Sequence, residues 1–308
     1  DPDASYAEAL KGIAAGEKDG RAYGVAAHCC LLGDSSLKDD EEADRLARLG
    51  GDDLVARTVL GSLRMWGYAS FSRGATDVPP LTEEAVDFHP LPGFYWGLTF
   101  ESGMGGFAQN FRRAAKFFQR SAVQGNAFSK CNLGALYRDG CGVDQHYPKA
   151  IALFREAAEL GMARAESYLG RAYWVGQGVP QDYHLSYQWY SSAAAKGYLN
   201  AIFNLSSCYL TGLGVAKDVA RGLTLIRDAA EKGHPLAQFK LGVSYMDGEL
   251  VTLDYKQARY WLTLSAAQGT PEAQDTLTFL TIKEHTFGPN GEYDVDTVTL
   301  SKYDTDDI

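Results

Sequence analysis

The chain of 308 residues is 45% hydrophobic and carries a formal net charge of −10. This length and apolar content are enough to bury an extended core, while the negative balance argues against nucleic acid or an anionic membrane as the main partner. No stretch approaches the run of about eighteen apolar residues that a membrane-spanning helix needs. We therefore expect neither nucleic-acid binding nor membrane insertion.

The first 66 residues are predicted to form degenerate copies of a two-helix repeat. Residues 3–16 are predicted to form a helix with apolar side chains on one face, and residues 22–32 and 41–49 the next pair. Another helix is predicted over residues 54–66. The chain begins at Asp1 rather than Met, which fits a mature exported protein or a trimmed chain. We favour a periplasmic or secreted location over a cytoplasmic one.

The helical periodicity is interrupted between residues 67 and 93. The proline-containing stretches Pro79-Pro80 and Pro90-Leu91-Pro92 disfavour a continuous helix. We predict an insertion over 67–93, which is either a tolerated loop or a surface for a partner. Residues 94–125 then return to the helical pattern in a degenerate form.

One glycine recurs every 36 residues through the second half of the chain, at Gly125, Gly161, Gly197, Gly233 and Gly269. Two further columns share this register: Leu133, Leu169, Leu205, Leu241 and Tyr137, Tyr173, Tyr209, Tyr245. A period in this range is typical of a solenoid. Four clean repeats are therefore predicted between residues 126 and 269.

Each repeat is predicted to be a helix, a turn and a second helix. A Gly-x-Gly pair ends the first helix, because glycine adopts backbone conformations that residues with a β-carbon resist. Asp182, Asp218 and Asp254 are placed to cap the second helices, and His146 takes this position in the first clean repeat. A small pair such as Ala157-Ala158 allows the helices to approach closely, and the recurring glycine ends the second helix.

These residues resemble the Sel1-like repeat, a relative of the tetratricopeptide repeat that reads roughly Leu-Gly-x-x-Tyr-x-x-Gly-x-Gly-Val. The match includes Leu169, Gly170, Tyr173, Gly176, Gly178 and Val179. The resemblance implies an all-α, right-handed superhelical solenoid whose concave face is lined by first helices. Known members are mostly adaptors or regulators that hold protein partners, and many are bacterial.

The predicted carboxyl end is an acidic tail over residues 284–308. This segment contains seven acidic residues and one basic residue, Lys302, so it contributes −6 to the net charge. Val295, Val298 and Leu300 alternate with polar residues, which favours a non-helical conformation. The predicted domains are one repeat solenoid over 1–283, comprising 1–66, 67–93, 94–125, 126–269 and a capping helix over 270–283, and the tail.

Motifs for chemistry are absent from the sequence. The six histidines form no i, i+4 pair, and the five cysteines have no zinc spacing. We expect buried thiols rather than a disulfide framework. The Gly-x-Gly pairs recur in every repeat and are interpreted as turns, not phosphate loops. We predict no catalytic residue, no cofactor and no metal.

A partner-binding stripe is predicted on the first helices. On a helical wheel, positions five and two before the core leucine, and two and five after it, lie roughly 140–160° from that leucine. Aromatic, Met and Arg side chains, which are enriched at interfaces, occupy many of them. The predicted partner-binding residues are Phe128, Arg138, Arg164, Arg171, Trp174, Phe203, Leu210, Phe239, Val243 and Met246. The alternative is self-contact, in which neighbouring repeats or the acidic tail cover this stripe.

Two functional classes follow, both built on a protein partner and a chain that is monomeric when free. The first is a non-enzymatic scaffold or regulator that binds the partner in its groove. The second, suggested by the resemblance, is an immunity-type inhibitor that neutralises an exported bacterial enzyme such as a phospholipase. A third alternative is that the protein is a hydrolase.

Overall fold

The structure, a computed structural model, describes residues 40–49, 54–66 and 90–287, with residues 9, 11, 13, 23, 24 and 26–28 nearer the amino terminus. In this part of the chain it delineates thirteen α-helices and no β-strand. They are α1 (Asp40–Leu49), α2 (Leu54–Trp66), α3 (Pro90–Ser102), α4 (Phe111–Val123), α5 (Ala127–Asp139), α6 (Tyr147–Glu159), α7 (Ala163–Val175), α8 (Tyr183–Ala195), α9 (Leu199–Thr211), α10 (Val219–Glu231), α11 (Pro235–Asp247), α12 (Tyr255–Ala267) and α13 (Pro271–Phe287). Consecutive helices pack as pairs, which confirms the predicted all-α repeat fold.

The turn inside each clean repeat is held by one set of backbone bonds. The first helix ends at a glycine in the left-handed region, such as Gly140 (φ 71°) and Gly176 (φ 75°). The residue that caps the second helix then donates its N–H to the carbonyl oxygen of the tyrosine that recurs in each repeat. In one repeat this bond runs from Asp182 N to Tyr173 O at 2.9 Å. The side chains of His146, Asp182, Asp218 and Asp254 accept the predicted capping bonds.

Small residues lie where the two helices of a repeat cross. A β-carbon on Gly134 would lie 2.7 Å from the Phe154 ring, and one on Gly242 would lie 2.7 Å from Leu262 Cγ. Ser206 replaces glycine in this column of the third clean repeat, where a β-carbon on Gly222 of the facing helix would lie 3.2 Å from the Ser206 carbonyl oxygen. Since protein interiors are close-packed, these positions have little room for a larger side chain.

The second glycine of the Gly-x-Gly pair contacts the preceding repeat. A β-carbon on Gly142 would lie 2.3 Å from the carbonyl carbon of Phe111, the first residue of α4. Gly178 and Gly214 have the same relation to Tyr147 and Tyr183, the first residues of α6 and α8. The turn of one repeat therefore packs directly on the start of the previous second helix.

Two predicted boundaries differ from the structure. Helix α3 begins at Pro90, inside the insertion predicted over 67–93, because the first turn of a helix has N–H groups without intrahelical partners and tolerates proline. Helix α13 continues to Phe287, beyond the predicted end at residue 283. Glu284, predicted as the first residue of the tail, pairs with Arg259 within this helical packing. Residues 67–89 and 288–308 lie outside the described part of the chain.

Packing divides the chain into two compact units. The N-terminal unit comprises Asp1–Ala172 and Gly176–Pro180, and the C-terminal unit comprises Tyr173–Val175 and Gln181–Ile308. The core of the N-terminal unit is rich in aromatic side chains and includes Tyr95, Phe100 and Phe118. The cores of the C-terminal unit are mainly aliphatic and are formed by α9–α11 and by α11–α13.

Candidate functional site

Phe128, the first residue of the predicted stripe, packs inside the N-terminal unit. Its ring lies 5.5 Å from Phe94 and 5.9 Å from His28, measured between ring centroids. The prediction that it faces away from the core is wrong. A wheel drawn on one helix locates the contact with its own partner helix, but it cannot show that the previous first helix, α3, covers the opposite side.

The three predicted arginines of the N-terminal unit differ in their surroundings. Arg138 forms a two-pronged bond with Asp139, with both N–O distances 2.7 Å, and its guanidinium lies 4.8 Å from the Tyr168 ring centroid. This bond lowers the pKa of Asp139. Arg164 is half-buried and donates to Asn132 Oδ1. Arg171 is exposed, so it is the predicted arginine most available to a partner.

In the C-terminal unit, Trp174, Phe203 and Leu210 are half-buried by neighbouring elements. Trp174 lies edge-on to Tyr183 at 5.1 Å between ring centroids. Phe203 stacks on the imidazole of His234 at 5.0 Å, and Leu210 fills the space left beside Gly222. These contacts are made with the next helices along the chain.

His234 joins two neighbouring first helices beside Phe203. Its Nδ1 accepts the Ala237 N–H at 3.1 Å, so the proton lies on Nε2, which donates to Asn200 Oδ1 at 2.7 Å. The imidazole is thereby held neutral, and its burial lowers the pKa of His234. His234 is a capping residue that the sequence analysis did not assign.

The last predicted stripe residues, Phe239, Val243 and Met246, pack against α13. They form one apolar cluster with Leu277 and Leu280, in which Met246 is 5% exposed. The expectation of an outward-facing stripe is wrong here also, and the self-contact alternative accounts for these residues. Positions away from the core of one repeat form the surface on which the next repeat packs.

On helix α13, the positions equivalent to Val243 and Met246 of α11 are exposed. Phe279 and Ile282 stand 36 residues after Val243 and Met246, and they are 50% and 59% exposed. Lys283 Nζ lies 5.2 Å from the Phe279 ring centroid. The sequence analysis missed this pair because it applied the wheel only to the four clean repeats, although the 36-residue register continues into α13.

The described residues hold no group of three or more His, Cys, Asp or Glu side chains that could bind a metal ion. Within the same residues, no helix is long and apolar enough to cross a membrane. Cys131 and Cys208 are buried free thiols and Cys141 is a half-buried one, and burial raises the pKa of Cys208 to about 11. Cys29 and Cys30 lie outside the described residues.

Comparison with known structures identifies proteins of similar fold, including the following two. A Sel1 repeat protein from Oxalobacter formigenes is 27% identical with a TM-score of 0.63, and the match covers 80% of this chain and 95% of that one. The protective antigen c5321 of uropathogenic Escherichia coli is 26% identical with a TM-score of 0.55. The match covers 95% of this chain but 54% of the antigen, so this chain spans about half of the antigen's length.

A weaker match is the immunity protein Pa5087 from Pseudomonas aeruginosa, which is 20% identical with a TM-score of 0.46, over 73% of this chain and 81% of that one. No curated protein sequence matches the chain. The family model described as Sel1 repeat matches five successive segments, 94–126, 127–162, 163–198, 199–234 and 235–270. These segments cover more than half of the sequence, and each contains one helical pair of the structure apart from the first four residues of α3, so the chain belongs to the Sel1 repeat family.

Proposed function

We propose that this chain is a non-enzymatic protein-interaction module, a scaffold or regulator that binds one protein partner through first-helix positions. The family supports the general class, because Sel1 repeats mediate protein–protein binding. The observation that carries the proposal is the exposure of Phe279 and Ile282 on α13. At the equivalent positions of α11, the side chains are covered by a following helix.

Exposed apolar positions of this kind are suited to a partner. Burying a large apolar side chain contributes about 1.5–3 kcal/mol, and a contiguous exposed patch often marks a binding surface. Arg171 is exposed on the N-terminal unit and remains a proposed polar contact of that unit by itself. The inner part of the predicted stripe, such as Met246, is excluded because it is already buried.

The experiment is an affinity capture with the full chain as bait in extracts of its native cells, read by quantitative mass spectrometry. The double variant Phe279→Ser/Ile282→Ser is compared with wild type and with Tyr260→Ser. Tyr260 is a matched control, because it is 56% exposed but lies on α12, which is the second helix of its repeat. We expect a protein that is retained by wild type and by the control and lost from the double variant.

Equal retention by all three forms would contradict the proposed surface. Thermal unfolding of each form shows whether a loss of capture reflects a loss of folding. If the retained protein is an enzyme, its activity with and without this chain distinguishes an inhibitor from a scaffold.

A further inference from the structure

Helix α4 is unusually basic for a protein of net charge −10. It carries Arg112, Arg113, Lys116 and Arg120 and no acidic residue, whereas α6 and α10 each balance two basic residues with two acidic ones. The guanidinium of Arg113 lies 3.9 Å from the Phe100 ring centroid and is turned toward the aromatic core. The other three follow one another at intervals of four, so they project from one side of the helix.

These three side chains border a groove with an apolar floor. Arg112, Lys116 and Arg120 are exposed, and the groove between them and α5 has a volume of about 550 Å³. Leu133 and Tyr137 of α5 and Val143 of the following turn form its floor, which is continuous with the core of the N-terminal unit.

A further cation lies beside the α4 groove. Lys149 Nζ is 5.2 Å from the Tyr137 ring centroid, at the side of the floor. Asp144 follows Val143 in the turn and is an acidic neighbour of the floor. Arg112, Lys116 and Lys149 are therefore three described cations that border the floor.

A groove that shares four equivalent positions with this one lies 108 residues later and has a different charge. In the C-terminal unit, Leu223 and Arg227 of α10 take the positions of Ala115 and Gln119, and the turn residues Leu250 and Val251 those of Gly142 and Val143. Its volume is about 520 Å³, close to that of the α4 groove. Arg227 and Glu249 make its charged lining neutral. The repeat therefore determines where such a groove lies, and the side chains of α4 make only the first of the two cationic.

We propose that the α4 groove binds an acidic segment of a partner protein, with the carboxylates beside Arg112 and Lys116 and apolar side chains on Leu133, Tyr137 and Val143. This binding rests on the proposed function only in that the partner is a protein, and it concerns a different surface from that of Phe279 and Ile282. The net negative charge of the whole chain opposes a polyanion such as nucleic acid, whereas a short acidic segment interacts mainly with its local surroundings. The apolar floor also favours a peptide, since it binds aliphatic and aromatic side chains.

The test measures binding of a fluorescein-labelled peptide in which pairs of Glu flank single Leu and Phe residues, by fluorescence anisotropy with the full chain. Two control peptides carry Gln in place of Glu, or Ser in place of Leu and Phe. The protein variants are Lys116→Glu in the α4 groove and Arg227→Glu in the equivalent groove on α10. Both positions are exposed, so each reversal of charge is expected to leave folding intact, which circular dichroism checks.

We expect saturable binding to wild type that weakens as salt is raised and weakens at least tenfold with Lys116→Glu and with either control peptide. Arg227→Glu is expected to bind within twofold of wild type. The inference is overturned if wild type does not bind, if Lys116→Glu binds like wild type, or if Arg227→Glu causes an equal loss. A single-stranded oligonucleotide that binds more tightly than the peptide and displaces it would also overturn it. None of these results depends on the capture experiment with Phe279 and Ile282.

Discussion

Gly142 in the N-terminal unit and Leu250 in the C-terminal unit stand 108 residues apart, at the same position of the 36-residue register. Gly142 lies against the backbone at the start of α4, where no side chain fits. At the same position Leu250 carries a side chain, which lines the groove beside α10. The two units share one backbone pattern and differ in the side chains at equivalent positions. Comparing such positions separates what the repeat requires from what each copy adds.

The largest expected effect tests the close approach in the N-terminal unit. Gly142→Ala would place a β-carbon 2.3 Å from Phe111 C and 2.5 Å from Arg112 N, at a φ of 71°. Backbone atoms cannot move aside as a flexible side chain can, so we expect a loss of roughly 3–5 kcal/mol in unfolding free energy. Urea denaturation measures it.

Gly161→Ala is the matched control for that substitution. Its φ is 89°, but a β-carbon there would meet no atom within 4 Å. Only the left-handed backbone then opposes alanine, so about 1–2 kcal/mol should be lost. Equal losses at the two sites would show that contact with α4 is not what position 142 requires.

The next effect compares a buried position and an exposed position of one repeat column in the C-terminal unit. Met246→Ala removes a side chain that is 5% exposed and should cost about 2–3 kcal/mol. Ile282→Ala removes a side chain that is 59% exposed and should change stability by no more than about 0.5 kcal/mol. Urea denaturation of both variants measures the difference, and a large loss at Ile282 would mean that this position is covered in solution.

A pH-dependent effect is expected at the junction between α9 and α11. Burial lowers the pKa of His234 from its ordinary value of 6.5, so the unfolded chain binds the proton more readily than the folded one. The unfolding free energy should therefore fall as pH decreases below about 6.5 toward the lowered pKa.

The variant His234→Asn isolates this contribution. Asparagine retains a side-chain oxygen that can cap α11 and does not titrate, so the variant should lose less stability than wild type between neutral and mildly acidic pH. His184→Asn, at an exposed position of the same unit, is the control. Identical pH profiles for wild type and His234→Asn would contradict the assignment.

The smallest expected effect is a gain at His146, the one second-helix cap of the clean repeats that is not aspartate. His146 caps α6 through its Nδ1, which accepts the Lys149 N–H at 3.2 Å. The Asp caps make shorter bonds of 2.9 Å, and a carboxylate also interacts favourably with the helix dipole. His146→Asp should raise the unfolding free energy by about 0.5 kcal/mol, measured by urea denaturation. A loss of stability would indicate another role for this imidazole.

The helix-turn-helix pattern of the clean repeats was predictable from the sequence. The left-handed glycines and the second-helix caps act on their own few residues, so their positions follow from the recurring columns. Sequence reasoning failed at Pro90, where the first turn of a helix accepts a residue that the interior would reject. It also failed for the outward direction of Phe128 and Met246, because that direction depends on helices distant in the sequence.

The repeat, its turns and its caps can be derived from the residues alone, because each depends on backbone conformations and hydrogen bonds within a few residues, and these demands recur every 36 residues. Which apolar positions are buried between repeats and which remain exposed depends on the packing of distant helices, as with Met246 and Ile282. Helix packing also brought the cations of α4 to the edge of an apolar floor made by α5 and the next turn. Such surfaces combine residues from different elements, so their burial and charge exist only once the helices have packed.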